Sequence, residues 1–135
     1  MSPSTRARVR ERAGHRCEYC LLHRDESPLA VLHIEHILPK IHGGTDDLEN
    51  LALARIDCNL HKGPRIDCNL HKGPNLTGID PQTNRVTELF HQRRHRWEDH
   101  FERDGLYLVG KTAIGRTTIR VLNVNSEDQL SLRSP

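Results

Sequence analysis

Residues 55–64 and 65–74 are identical: Arg-Ile-Asp-Cys-Asn-Leu-His-Lys-Gly-Pro, twice, with nothing between the copies. Repeat architectures stack units of roughly 20 residues or more, in at least three copies, so this is not a solenoid. Two adjoining copies read as an in-frame duplication that adds ten residues inside the chain. One copy can continue the path of a fold, and the other is then an insertion. Each copy brings Cys, Asn, His and Lys together, so the insertion falls where chemistry is concentrated.

The rest of the chain sets the scale. At 135 residues it is about one domain long. The apolar set makes up 35% and charged residues 28%, with a mean hydropathy of -0.68. Cores this thin usually need staples such as metals or disulfides. Twenty basic residues stand against 18 acidic ones, leaving a formal charge of +2. A basic tail is excluded, and an anion-binding surface has to come from local clustering. No apolar run approaches the roughly 20 residues that span a bilayer. Met1-Ser2-Pro3-Ser4-Thr5-Arg6 lacks the apolar stretch of a secretory signal. The expectation is a soluble, cytoplasmic protein that meets no membrane, its oligomeric state unknown.

Cys17 and Cys20 form a C-x-x-C pair, with Cys58 and Cys68 further on. Without a secretory signal, metal binding is favoured over disulfides. A thioredoxin-like dithiol would need a βαβ setting, and none is visible. Residues 5–13 predict a short helix stopped by Gly14. Residues 29–34 (L-A-V-L-H-I) predict a strand, and Pro39 and Gly43-Gly44 mark a loop. Residues 51–54 predict a short returning strand. A helix is expected to begin near one C-N-L-H-K-G copy, with turns over 74–84. Residues 91–101 predict a helix and 106–109 a strand; 117–124 fit neither period.

Chemistry concentrates between His33 and Lys72. Phosphodiester hydrolysis needs a base for water, a divalent cation on the phosphate, and ligands that fix the cation. Histidine suits the first role. A carboxylate with an amide oxygen suits Mg²⁺ or Mn²⁺. Glu35 and His36 are neighbours, so on a regular strand they point to opposite faces. Both reach one site only where the strand ends, which Pro39 and the glycines lead one to expect.

The ordered set Glu35-His36-Ile37-x-Pro39, Gly43-Gly44, Asn50-Leu51 and C-N-x-x-K resembles the HNH endonucleases. The resemblance covers roughly residues 10–75. It implies an α+β fold: a small ββα-metal core (the His-Me finger), a zinc knuckle, and a C-terminal helix and strand extension. Residues 1–80 would be the nuclease core and 81–135 the extension packed on it. By the same resemblance His36 is the general base and Glu35 a metal ligand. Asn50 pins the loop that bears the base. Asn59 or Asn69 is the second metal ligand, and Lys62 or Lys72 approaches a backbone phosphate. Cys17 and Cys20 match the first half of a structural zinc ribbon.

One departure stands out. The family's second knuckle is C-x-x-C-N, whereas here Arg55 holds its first position, and arginine does not ligate zinc. If the first copy acts, Cys58 and Asn59 serve and a fourth zinc ligand is missing. If the second acts, Cys68 and Asn69 serve, and Cys58 restores the set of four thiolates usual for a closed structural site. The working asparagine stays open between the two.

Arg93, Arg94 and Arg96, with Trp97 beside them, form the best local basic patch and are candidate phosphate contacts. The competing reading makes Trp97 a core anchor on an exposed helix face. The function expected is therefore metal-dependent hydrolysis of DNA, with structural zinc at the knuckle. The alternative is a zinc-ribbon DNA-binding protein whose nuclease site the duplication has disrupted.

Overall fold

A computed structural model describes residues 1–26, 31–55 and 76–133. Helix α1 (Pro3–Arg12) begins as its sequence dictates. The Ser2 Oγ accepts from the Thr5 N–H at 3.1 Å, and Pro3 takes a first-turn position where no N–H is needed. Gly14, at φ +63°, supplies the left-handed turn that ends it. Val9 is the fully buried residue of this helix. The Arg12 guanidinium donates to the carbonyls of Leu48 (2.9 Å) and Leu51 (2.5 Å), fastening the helix to the chain entering the next hairpin.

That hairpin is antiparallel: β1 (Leu32–His36) pairs with β2 (Leu51–Arg55), and His36 lies opposite Leu51. β1 thus starts and ends later than the span 29–34 expected from apolar content. All five residues of β2 are buried. Leu51 and Leu53 pack with Val9, and Leu32 and Ile34 join that cluster. The alternate residue Ala54 packs with Cys17, Tyr19 and Cys20 on the other face. Leu53 also donates its N–H to Glu18 and accepts from the Glu18 N–H, so the Cys17–Cys20 loop closes the outer edge of β2.

The remaining described residues build two further hairpins, a helical turn and two longer helices. β3 (Thr77–Ile79) pairs with β4 (Val86–Glu88), and β5 (Phe101–Asp104) with β6 (Tyr107–Gly110). The division expected at 80/81 lies within the first of these hairpins. The helical turn α2 (Trp97–His100) precedes β5. α3 (Ala113–Leu122) and α4 (Glu127–Arg133) end the described chain. The helix expected over 91–101 shrinks to α2, because Phe101 is drawn into the core as the first residue of a strand. The ambiguous 117–124 stretch falls largely in α3, capped by Thr112 and ended by Asn123 at φ 53°. Its Arg116 makes a paired contact with the fully buried Asp80 at 3.0 and 2.9 Å.

Phe90, Phe101, Leu108 and Leu122 share one buried cluster with Cys17, Tyr19 and Cys20. The structure is a mixed α+β arrangement of helices and small sheets. The helix that would complete a ββα core falls on residues outside those described.

Candidate active site

His36 ends β1, so the strand runs through the Glu35-His36 pair and does not stop before it. The two side chains accordingly point to opposite faces. His36 shares the parity of Leu32 and Ile34, and so lies on the α1 side of the hairpin. Glu35 faces the knuckle and the C-terminal half.

The His36 Nε2 lies 2.7 Å from the Asp46 Oδ1. An ionised carboxylate only accepts, so this contact puts the proton on Nε2 and leaves a lone pair on Nδ1. The hydrogen bond from His36 is the main reason the Asp46 carboxyl is held below its ordinary range; Lys40 and the terminal amine of Met1 add to it.

Asn50 shapes the loop between them. Its Oδ1 accepts from the Leu38 N–H at 2.8 Å, and its Nδ2 donates to the carbonyls of Leu38 (3.0 Å) and Thr45 (2.8 Å). The Asn50 carbonyl also accepts from the Ile37 N–H at 2.8 Å. One side chain thus ties the residues just after His36 to the residue just before Asp46. Gly44 makes the closure possible. A Cβ there would fall on the Leu38 carbonyl and stand 2.9 Å from the Asn50 Nδ2.

Glu35 is 5% exposed. Its Oε1 accepts from the Tyr19 hydroxyl at 2.6 Å and from the Gln92 Nε2 at 3.2 Å. Burial, reinforced by Glu35, raises the Tyr19 hydroxyl well above its usual range, so it stays a donor. A buried carboxylate offered to hard cations fits Mg²⁺ or Mn²⁺ in its chemistry. The buried Cys17 and Cys20 fit zinc in theirs.

The partners expected for both sites, Asn59, Asn69, Cys58 and Cys68, lie outside the described residues, as do Lys62 and Lys72. Among the described residues no three His, Cys, Asp or Glu side chains converge on one point. Arg55, at the knuckle's expected cysteine position, is 1% exposed.

The basic patch is partly spoken for. Arg93 pairs with Glu18, and Arg94 meets Glu88 at 3.0 Å. Both Arg94 and Glu88 line a cavity of about 380 Å³ that also takes in Ile37 and Leu38. Arg96 is exposed. Trp97 packs against the core and donates its Nε1–H to the Tyr19 carbonyl at 2.7 Å.

Sequence reasoning missed Asp46, Tyr19 and Gln92. Asp46 could have been suspected as an acidic residue inside a His-to-Asn loop. Gln92 gave no signal. Among the described residues no helix is long and apolar enough to cross a membrane. No curated protein and no solved structure matches the chain. The family model for HNH endonuclease does match, over residues 17–65, a stretch that holds Glu35, His36, Asn50 and the first copy of the duplicated segment. Over that segment the chain is similar to the HNH endonuclease family.

Proposed function

We propose that the protein is a metal-dependent DNA endonuclease whose general base is His36. The observation that carries this reading is the His36–Asp46 contact at 2.7 Å, on a loop closed by Asn50. A base held by a second group that fixes its tautomer is the arrangement proton abstraction requires. Nδ1 takes a proton from water, and the water oxygen forms a bond to phosphorus as the P–O3′ bond breaks. O3′ takes up a proton from solvent, so the products are a 5′-phosphate and a 3′-hydroxyl. Asp46 stabilises the imidazolium formed in that step.

Glu35 would hold the divalent cation together with Asn59 or Asn69, base and cation meeting one phosphate around the end of β1, which stops at His36. A cation held by these residues would supply Lewis-acid polarisation of the phosphoryl oxygen and charge stabilisation for the departing alkoxide. The family match takes in Asn59 and stops at Arg65, before Asn69, which supports Asn59. Tyr19 and Gln92 keep the Glu35 carboxylate oriented. Cys17 and Cys20 would hold structural zinc with Cys58.

The test is nicking of supercoiled plasmid in Mg²⁺ or Mn²⁺. His36→Ala is expected to slow it by about 10²- to 10⁴-fold, the usual contribution of a general base, with a cooperative thermal transition retained. Equal nicking by the variant would overturn the assignment. The buried Arg55 at a knuckle position favours a second reading, in which the protein binds DNA without cleaving it. Intact plasmid in every divalent ion, with DNA binding retained, would establish that reading instead.

A further inference from the structure

The side of the hairpin that carries His36 is covered by α1, a helix with four arginines against one glutamate. Arg6, Arg8 and Arg10 are exposed. No acidic side chain among the described residues lies within ion-pair distance of these three. Arg6 and Arg10 are four apart and share one side of the helix.

The helix starts beside the base. The Met1 amine is 3.5 Å from the Asp46 Oδ2, and Asp46 in turn holds His36. The far end of the helix opens on a cavity of about 190 Å³ lined by Arg10, His15, Arg24, Leu32 and Leu53. There the Arg24 Nη1 stands 3.1 Å from the His15 Nδ1, and the Arg24 N–H donates to the His15 carbonyl at 3.0 Å. An exposed carboxylate, Asp25, comes within 3.7 Å of the Arg24 Nε. Leu32 and His36 are the two ends of β1, so the cavity lies roughly 13 Å along the strand from the base at about 3.3 Å per residue. That is about four base-pair rises of a duplex.

We propose that Arg6, Arg10, His15 and Arg24 form a phosphate-holding track that seats the backbone of duplex DNA on the His36 face. Charge complementarity commits the surface to a polyanion. Exposed Arg6 and Arg10, with Arg24 beyond them, lead along the helix to the base and commit the surface to the strand being cut. The proposal rests on the reading of His36 as a DNA-cleaving base, but its test does not need cleavage.

The full chain is titrated in EDTA against a fluorescently labelled 20-base-pair duplex, by anisotropy, over a series of salt concentrations. The Arg6→Ala/Arg10→Ala/Arg24→Ala variant is expected to bind about 30-fold or more weakly. Its slope of log affinity against log salt should be shallower by about two to three, one for each lost phosphate contact. Arg85, Arg103 and Arg120 are also exposed, and replacing those three by alanine removes the same charge. That control is expected to stay within about threefold of wild type, with its salt slope unchanged.

Equal weakening by the two triple variants would overturn the track, because net charge alone would then explain binding. So would a track variant that binds as wild type does, or a wild-type chain that does not bind the duplex at low salt. The Arg→Gln version of the track variant guards against a folding defect and is expected to lose affinity equally. DNA binding without cleavage would overturn the hydrolytic reading and leave the track standing.

Discussion

The Tyr19 hydroxyl and the Glu35 carboxylate, 16 residues apart, meet in a buried hydrogen bond of 2.6 Å. Tyr19 sits inside the Cys17–Cys20 knuckle, and Glu35 sits on β1 beside the candidate base. The Cys17–Cys20 loop is therefore coupled to the candidate metal ligand by direct contact. Tyr19→Phe keeps the ring's packing and removes the donor, leaving a buried charge short of one partner. The expected cost is about 1–3 kcal/mol in urea unfolding, with slower plasmid nicking. Gln92→Ala, which removes the longer bond of 3.2 Å, is expected to cost less in both measurements.

Asp46→Asn tests the orientation of the base. An amide can hold His36 in the wrong tautomer, so nicking is expected to fall by about 10- to 100-fold, the usual cost of losing an orienting partner. Asp46→Glu should recover part of the loss. The fall belongs in kcat rather than KM, because Asp46 is assigned no contact with DNA. Single-turnover and steady-state kinetics separate the two.

Gly44→Ala and Asn50→Ala are expected to behave alike. The first places a methyl group where the Leu38 carbonyl and the Asn50 Nδ2 already sit. The second removes three side-chain hydrogen bonds. Each should abolish most nicking and lower the thermal midpoint. Gly14→Ala makes a useful contrast. Its Cβ would meet nothing within 4 Å, but the residue has φ +63°, so about 1 kcal/mol of conformational strain is expected with no loss of nicking.

Stability should fall in two steps on acidification. Burial, with His95 nearby, lowers the His100 pKa, so the unfolded chain takes up that proton first. Stability is therefore lost as pH drops from about 6.5, the ordinary histidine value, through the folded value. Asp80, held low chiefly by Arg116, and Asp46, held low chiefly by His36, act further down. Their contributions are complete above the ordinary carboxylate range and are lost as pH falls below about 4. Thermal midpoints against pH should show both steps. His100→Asn should flatten the first and Asp80→Asn the second.

Asn59→Ala is expected to reduce nicking as severely as His36→Ala, whereas Asn69→Ala leaves most of it. The match to the family runs through the first copy of the duplicated segment. Zinc content should be near one per chain, and should fall when either Cys17 or Cys20 is replaced by serine.

What could be read from the sequence was local. Ser2, Pro3 and Gly14 mark α1 because capping and left-handed turns depend on the residues at a helix end. The order Glu35-His36, Gly43-Gly44, Asn50 marks the loop, because such a loop needs close backbone approach and a side chain able to bond it at several points. Residues 117–124 kept no clear period, since α3 buries Thr117 and Thr118 as fully as Leu122.

Tertiary structure decided the rest. Running β1 through His36 set Glu35 and His36 on opposite faces, which the residue pair alone left open. Packing then chose their partners: Asp46 on the α1 side, and Tyr19 with Gln92 on the other. Gln92 lies 57 residues from Glu35, and no local preference encodes a contact of that span. It exists because the apolar residues of both halves share one core, and burying that core brings the two together.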